Sequence, residues 1–202
     1  MAEQEALQVF DRFDGSKIEI KDPAMVPYLG LDGIIVAKTF GRPQQAKFGK
    51  AKTHILERLA NRLAVPGHVG KKHKIMTSWG TGKWNKNMKL VLDAMALIAE
   101  KTGKDPLQVL VTAIENGSPR DEITILEIAG ARYPQAVDCA PLRRVDLALR
   151  WFVQGAYGKS FGKKTKMVQA LANEIMLAAD GNMESFSLMK KNDAEKQADS
   201  AR

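Results

Sequence analysis

Lysines, glycines and two tryptophans alternate over residues 67–86, between two segments with helical periodicity. Lysine ammonium groups bind phosphates, and exposed indole rings stack on nucleobases. This loop therefore indicates contact with a nucleic acid. For Trp79 and Trp84 an equally good interpretation is that they anchor the loop to the core. The lysines that carry the prediction are Lys71, Lys72, Lys74, Lys83 and Lys86.

Positive charge is unevenly distributed along the 202 residues, whose formal net charge is +8. Residues 38–104 hold 15 lysines and arginines against three aspartates and glutamates, and a smaller basic cluster lies at 159–166. Such asymmetry is typical of proteins that bind polyanions, although charge alone does not separate RNA from DNA or an anionic membrane. We add Lys163 and Lys164 of the smaller cluster to the candidate contacts. No stretch approaches the roughly 20 apolar residues of a membrane-spanning helix, so we predict no membrane partner.

Residue types that carry out catalysis or bind metals occur here in unsuitable surroundings. His68 and His73 have no neighbouring cysteine or carboxylate, whereas a structural zinc site needs four ligands. Residues 158–160 (GKS) lack both the earlier glycine and the preceding strand of a phosphate-binding loop. Cys139, the single cysteine, excludes an internal disulfide, and its alternating surroundings favour a packed side chain. We predict no catalytic residue, no metal and no cofactor.

Hydrophobic periodicity predicts a mainly α-helical single domain. The predicted helices cover about 50–64, 85–101, 106–117, 141–157, 164–179 and a stretch after 182. The helix over 141–157 is apolar on nearly every side, so we expect it at the centre of the domain. Arg143 and Arg144 at its start oppose the helix macrodipole, and their position calls for an anionic partner or another reason.

Residues 120–139 predict a two-stranded arm, with strands over 123–129 and 132–139 joined near Gly130. Because Pro134 has no N–H to donate to a ladder, its strand must be an edge or bulged. Residues 1–43, which are rich in glycine and proline, predict an irregular N-terminal extension before a domain over 44–202.

Several of these segments, in this order, resemble the universal ribosomal protein seven of the small subunit. The most specific are residues 130–138 (GARYPQAVD), followed by residues 141–151 (PLRRVDLALRW). Flanking matches are residues 70–74 (GKKHK), 101–111 (KTGKDPLQVLV), 113–116 (AIEN) and 171–175 (LANEI). The resemblance covers about 44–202, and the arm sequence together with the long N-terminal extension is more similar to archaeal members than to bacterial ones.

The resemblance implies a body of six or seven helices with a protruding β-hairpin arm. It implies binding to small-subunit ribosomal RNA in the head and a role in starting head assembly, in the cytoplasm and within the ribosome. The arm, with Gly130, Tyr133 and Pro134 near its tip, would lie at the exit site close to mRNA and tRNA and to small-subunit protein eleven. Carried onto this sequence, the RNA contacts are Lys47, Lys50, Lys52, Lys71, Lys72, Lys74, Lys83, Lys86, Arg120, Arg132, Arg143 and Arg144.

Two other classes stay open on the residues alone. A DNA-binding protein could use the helices over 85–101 and 106–116, although their outward faces carry little positive charge. An enzyme acting on nucleic acid would need metal-binding carboxylates, and the basic third of the chain contains only Glu57, Asp93 and Glu100.

Overall fold

The structure is a computed structural model that describes residues 8–15, 17–65 and 77–202. Within these residues it is mainly helical, with one two-stranded antiparallel sheet, as the sequence predicts. Seven α-helices occur there: α1 (Val26–Leu29), α2 (Ile55–Leu63), α3 (Trp84–Thr102), α4 (Pro106–Gly117), α5 (Pro141–Ser160), α6 (Met167–Ala179) and α7 (Phe186–Asp199). Two short 3-10 helices, Arg42–Gln45 and Gly49–Lys52, precede α2.

Helix α5 lies at the centre of the body, which confirms the prediction from its apolar surface. It packs against α1, α2, α4, α6 and α7, and Phe152 in its middle is fully buried. Proline at position 141 suits the first turn, where a missing N–H leaves no hydrogen bond unmade. Burial of a phenylalanine side chain of this kind stabilises a fold by roughly 1.5–3 kcal/mol.

Helices α3 and α4 form where periodicity predicts them, and α6 packs against both. The Asp105 carboxylate caps α4 by accepting a hydrogen bond from the Leu107 N–H at 2.9 Å. Such a cap satisfies one of the four N–H groups that a helix start leaves without a partner. Gly103 ends α3 in the left-handed conformation that glycine adopts without strain.

Three predicted helix boundaries are wrong. The helix expected from residue 50 begins only at Ile55, because His54 has extended backbone angles and acts as the N-cap. The helix expected from residue 164 begins at Met167, which leaves residues 161–166 as a loop. Helix α5 in turn runs to Ser160, three residues beyond its predicted end.

The hairpin arm consists of β1 (Asp121–Ile128) and β2 (Ala131–Asp138), paired in regular register. Ala129 and Gly130 link the strands with φ angles of 51° and 81°, the pair of positive values found in tight hairpin turns. Pro134 lies opposite Ile125 in this two-stranded sheet, so both strands are edges and proline disrupts no further ladder. The base of the arm packs against α7.

The N-terminal segment packs on the helical body. Val9, Met25, Leu29 and Ala37 are fully buried and belong to the main hydrophobic core. The Glu115 carboxylate on α4 accepts hydrogen bonds from the backbone N–H groups of residues 21 and 22, at 2.7 and 3.0 Å. The segment over 31–36, which has a strand-like sequence, forms no strand.

Candidate nucleic-acid interface

A cleft of about 530 Å³ lies between the segment over 44–53, α2 and α5. One wall carries Lys50, at the second 3-10 helix. Arg58 and Arg62 enter from α2, and Arg150 enters from α5. Helices α2 and α5 bury their apolar sides in the core, which leaves Arg62 and Arg150 to meet the largely exposed segment over 44–53 at the cleft.

Among the described residues, Asp146 is the single acidic side chain that lines this cleft. Its two oxygens accept hydrogen bonds from Lys50 Nζ at 2.7 Å and from the Arg58 guanidinium at 2.9 Å. Burial alone would raise the pKa of Asp146, but these two hydrogen bonds hold it below its ordinary value. The carboxylate is therefore ionised at neutral pH and neutralises one of the four surrounding cations.

Arg62 and Arg150 lie close enough to repel each other across the cleft. Burial and the charge of Arg150 both lower the pKa of the Arg62 guanidinium, against a smaller opposing effect of Asp146. A guanidinium stays protonated under all ordinary conditions, so both groups keep their charge and the cleft between them keeps a positive potential. A bound phosphate would relieve it, and guanidinium groups match phosphate oxygens in a planar, two-bonded geometry.

The wall opposite the arginines exposes an aromatic ring beside a lysine. Phe48 lines the cleft with 64% of its surface exposed, and Lys47 Nζ lies 5.6 Å from the ring centroid. Its backbone has a φ of 58°, an uncommon conformation for a bulky side chain. The next residue must be glycine, because a Cβ at Gly49 would lie 1.4 Å from the Pro43 carbonyl oxygen.

The predicted lysines of the first half of the chain fall into three groups. Lys47, Lys50 and Lys52 lie along the wall of the cleft or next to it, on the segment that precedes α2. Lys83 and Lys86 lie at the start of α3, where Lys83 Nζ donates to the Ser78 carbonyl at 3.0 Å. Lys71, Lys72 and Lys74 lie outside the described residues, as do His68 and His73.

Arg143 and Arg144 have acidic partners within the chain, which answers why two arginines start α5. Arg143 Nε lies 2.6 Å from one Glu122 oxygen and 2.8 Å from the other. Arg144 is 12% exposed and donates to Asp22 at 2.7 Å, as well as to the Pro119 carbonyl at 3.2 Å. Arg144 therefore joins the N-terminal segment to α5, and it contributes little to the exposed positive surface.

The arm carries almost no net charge near its tip. Arg132 faces Glu127 across the strands, with 3.8 Å between Nε and the carboxylate. Tyr133 is more than half exposed, and Ile125 and Ile128 of the first strand are exposed as well. At the base, the backbone N–H of Arg120 donates to Glu195 on α7 at 3.1 Å. The tip therefore presents apolar side chains rather than cations.

The two tryptophans of the basic loop take different roles. Trp84 begins α3 and packs against the main core, with Lys38 Nζ 4.6 Å from its ring centroid. Trp79 remains 43% exposed, and Lys86 Nζ lies 3.6 Å from its ring centroid. Trp84 thus fits the anchoring interpretation, whereas Trp79 is about half exposed beside a lysine. Lys163 and Lys164 are exposed in the loop between α5 and α6.

Similarity to known proteins identifies the family. The sequence model of the family described as ribosomal protein S7p/S5e matches residues 36–202. The small ribosomal subunit protein uS7 of Nanoarchaeum equitans is 43% identical over 196 residues, which cover 97% of this chain and 99% of the relative. The proteins of the same name from Thermoplasma volcanium and Methanothermobacter thermautotrophicus are 40% and 39% identical, each over 96% of this chain and at least 98% of the relative. The chain belongs to the ribosomal protein S7p/S5e family.

Membership in the S7p/S5e family confirms the resemblance seen in the arm and in α5, and these archaeal relatives confirm its archaeal type. The family consists of structural ribosomal proteins, so the chain is no enzyme. The aligned relatives also cover most of the N-terminal segment, which lies before the part in which the sequence motifs were found.

The remaining titratable groups of the described residues fit a structural protein. No cluster of three or more histidine, cysteine, aspartate or glutamate side chains suited to a metal ion occurs there. Burial and the neighbouring Glu122 raise the pKa of the Cys139 thiol to about 11, which keeps it protonated. His54 caps α2 through Nδ1, which accepts from the Leu56 N–H at 3.2 Å. None of the helices in the described ranges is both long and apolar enough to span a membrane.

Sequence reasoning did not select Arg58, Arg62 and Arg150, although they are three of the four basic side chains that line the cleft among the described residues. Arg62 and Arg150 reach the surface from α2 and α5, whereas the side chain of Arg58 is buried beside Asp146. Only the packing of α2 against α5 shows that these outward faces point into a shared cleft. Arginines on two helices therefore predict a shared basic cleft only when it is known that the two helices pack together.

Proposed function

We propose that this chain is a structural constituent of the small ribosomal subunit and that it binds small-subunit ribosomal RNA in the head, where it helps to nucleate assembly. Its place of action would be the ribosome, in the cytoplasm. Family membership supports the ribosomal role, and the cleft supports RNA as the ligand. The observation that carries the proposal is the meeting of Lys50, Arg62 and Arg150 in a cleft where Asp146, held by the buried Arg58, is the single acid among the described residues.

Three features of the cleft favour an RNA backbone over a small anion. The positive wall continues onto the exposed Lys47 and Lys52, so these lysines can bind successive phosphates of one RNA strand. Phe48 offers an exposed ring on which a base can stack. Arg62 and Arg150 come from different helices, so their spacing is fixed by the core and can select the shape of a folded RNA.

For the arm we propose contacts near the exit site with mRNA and tRNA, and with small-subunit protein eleven as a neighbour. The charges of Arg132 and Glu127 compensate each other, and the tip exposes Ile125, Ile128 and Tyr133. Such a surface favours packing on a protein or on base faces over the binding of phosphates. The arm would thus add apolar packing contacts to the electrostatic contacts of the cleft.

The cleft is tested by a double variant, Arg62→Gln with Arg150→Gln, measured for affinity to a transcript of the small-subunit head RNA. A matched control removes the same charge elsewhere: Lys101→Gln with Lys196→Gln, at exposed positions on α3 and α7. Because each arginine would form charge-assisted bonds to phosphate, we expect the cleft variant to bind at least about tenfold more weakly. Its salt dependence should fall by roughly 1.4–1.8 in log–log slope, the effect of two lost phosphate contacts.

Equal effects of the two double variants would contradict the proposal, because they would show that only total charge matters. A circular dichroism melt of each variant separates loss of RNA contacts from loss of folding. Arg62 and Arg150 repel each other, so their replacement should leave the melting temperature unchanged or raise it.

A further inference from the structure

A second cavity, of about 440 Å³, lies at the junction of α3, the end of α5 and the start of α6. Its lining is mainly apolar: Trp79, Leu90, Tyr157, Phe161, Met167 and Val168. The volume lies within the range of roughly 300–1,000 Å³ typical of small-ligand sites. It is separate from the arginine cleft, with which it shares no lining residue.

Two aromatic rings of this cavity are accessible from outside. Trp79 is 43% exposed and Phe161 is 44% exposed, although each belongs to a residue type that usually packs inside. The floor beneath them is held firmly, since the Tyr157 hydroxyl donates to the Leu63 carbonyl at 2.9 Å and Met167 is buried. Phe161 and the face of Trp79 that Lys86 does not cover are therefore available to a flat ligand.

Lysines surround these rings. Lys86 Nζ lies 3.6 Å from the Trp79 ring centroid, and Lys166 lines the cavity itself. Lys163 and Lys164 lie in the same short loop as Phe161, and none of these four lysines has an ion-pair partner within the described ranges of the chain. No acidic side chain lines the cavity among the described residues.

An apolar aromatic slot with a cationic rim matches the chemistry of a nucleotide. A nucleobase has apolar faces that stack on aromatic rings, and its phosphates bind lysines a few ångströms away. The hydroxyl groups of Thr77 and Thr165 also line the cavity and can bond to the polar edge of a base. A lipid chain or a leucine side chain would fill the slot but would leave the lysines without partners.

We propose that this cavity receives one unstacked nucleobase from a single-stranded RNA segment, which stacks on Trp79 and Phe161 while Lys163, Lys164 and Lys166 bind the adjoining phosphates. The inference rests on the proposed RNA-binding function and adds a second, stacking contact to it. Stacking tolerates every base, so the site selects an unpaired nucleotide rather than a particular sequence.

The first test uses the full chain and a short single-stranded uridine oligonucleotide in which one base is 5-iodouracil. Irradiation cross-links this base to the aromatic ring on which it stacks, and mass spectrometry of the peptides identifies the residue. We expect the cross-link at Trp79 or Phe161. A cross-link confined to Phe48 or to other aromatic residues would overturn the inference.

The second test compares Trp79→Ala and Phe161→Ala with Phe40→Ala as matched control. Phe40 is an exposed ring beside a lysine, at 4.7 Å from Lys38 Nζ, and it lines neither cavity. Loss of base stacking should weaken oligonucleotide binding roughly 5- to 100-fold with an unchanged salt slope, whereas the control should bind like the wild type. Lys163→Gln with Lys164→Gln should instead lower the slope by roughly 1.4.

The two proposals fail in different ways. If the wild-type chain does not bind the head transcript, the proposed function fails. If the transcript is bound but Trp79→Ala and Phe161→Ala bind it and the oligonucleotide like Phe40→Ala, only the base site is overturned. The base site is also overturned if these variants bind RNA normally but enter small subunits poorly, because a neighbouring protein would then occupy the cavity.

Discussion

His54 makes the stability of this protein depend on pH in a way that one substitution can isolate. The side chain is 1% exposed, and its Nδ1 must be unprotonated to accept the hydrogen bond that caps α2. Burial lowers the pKa of His54 from 6.5 to about 4, with a smaller opposing effect of Asp32. The neutral ring carries its proton on Nε2, which is buried without a hydrogen-bond partner among the described residues, and a second proton would go onto Nδ1 and break the cap.

The sign and size of the effect follow from proton linkage. In the unfolded chain the imidazole titrates near 6.5 and in the folded chain near 4, so the unfolded state binds more protons between these values. The free energy of unfolding therefore decreases as the pH falls through this window, and it is unaffected by this group above it. At about 1.4 kcal/mol per pH unit, the loss on reaching pH 4 is about 3 kcal/mol.

The perturbation is His54→Asn, because asparagine is a strong N-cap residue that does not titrate. Urea unfolding, followed by far-ultraviolet circular dichroism between pH 7 and pH 4, gives the free energy of unfolding of both proteins. All carboxylates and the other two histidines are shared by the two proteins and cancel in the difference. We expect the wild type to lose about 3 kcal/mol relative to the variant across this range. Parallel curves, with a constant difference, would refute the reasoning.

Three further outcomes are expected. Gly49→Ala should lower the free energy of unfolding in urea by about 3 kcal/mol and weaken RNA binding, because the added Cβ would collide with the Pro43 carbonyl. Gly158→Ala is the matched control: it has open space around it in α5 and should raise the free energy of unfolding by about 0.5–1 kcal/mol. Glu174→Gln should destabilise by about 1.5–3 kcal/mol in the same assay, because this fully buried carboxylate accepts bonds from Lys159 on α5 at 2.7 Å and from Ser185 before α7 at 2.7 Å. An unchanged free energy of unfolding in Gly49→Ala would show that the close approach to Pro43 does not matter, and an unchanged value in Glu174→Gln would show the same for the buried carboxylate. Cys139 should react with a thiol reagent at pH 8 far more slowly in the folded than in the urea-unfolded chain, since a pKa of about 11 leaves roughly one thiolate in a thousand; equal rates would contradict its burial.

The helices could be predicted because their apolar stripes are long and their ends carry local signals. Asp105 before Pro106 and Gly103 after α3 are caps that act through neighbouring residues alone. The same locality explains the hairpin, whose turn needs only Ala129 and Gly130 with positive φ. The start of α2 could not be predicted in this way, because histidine is not a usual cap and functions here only through its burial.

The candidate site was less accessible to sequence reasoning, because it depends on which helix faces meet. Lys50 was predicted from the family resemblance, but its partner Asp146 and the neighbouring Arg150 are about a hundred residues away in sequence and reach the cleft through α5. Arg144 shows the opposite case. A basic residue at a helix start suggests an anionic ligand, and the structure provides Asp22 from the N-terminal segment in that position.

The central claim, that this chain recognises the RNA of the small-subunit head, is tested most directly by competition over a salt series. The purified chain is titrated with a transcript of the head RNA, with an unrelated structured RNA and with duplex DNA at each salt concentration. Electrostatic contacts weaken steeply with salt for all three, whereas contacts that depend on the shape of one RNA do not. We predict that the head transcript remains bound at least about tenfold more tightly than the other two at high salt. Equal affinity for all three at every salt concentration would contradict the account and leave only a basic surface.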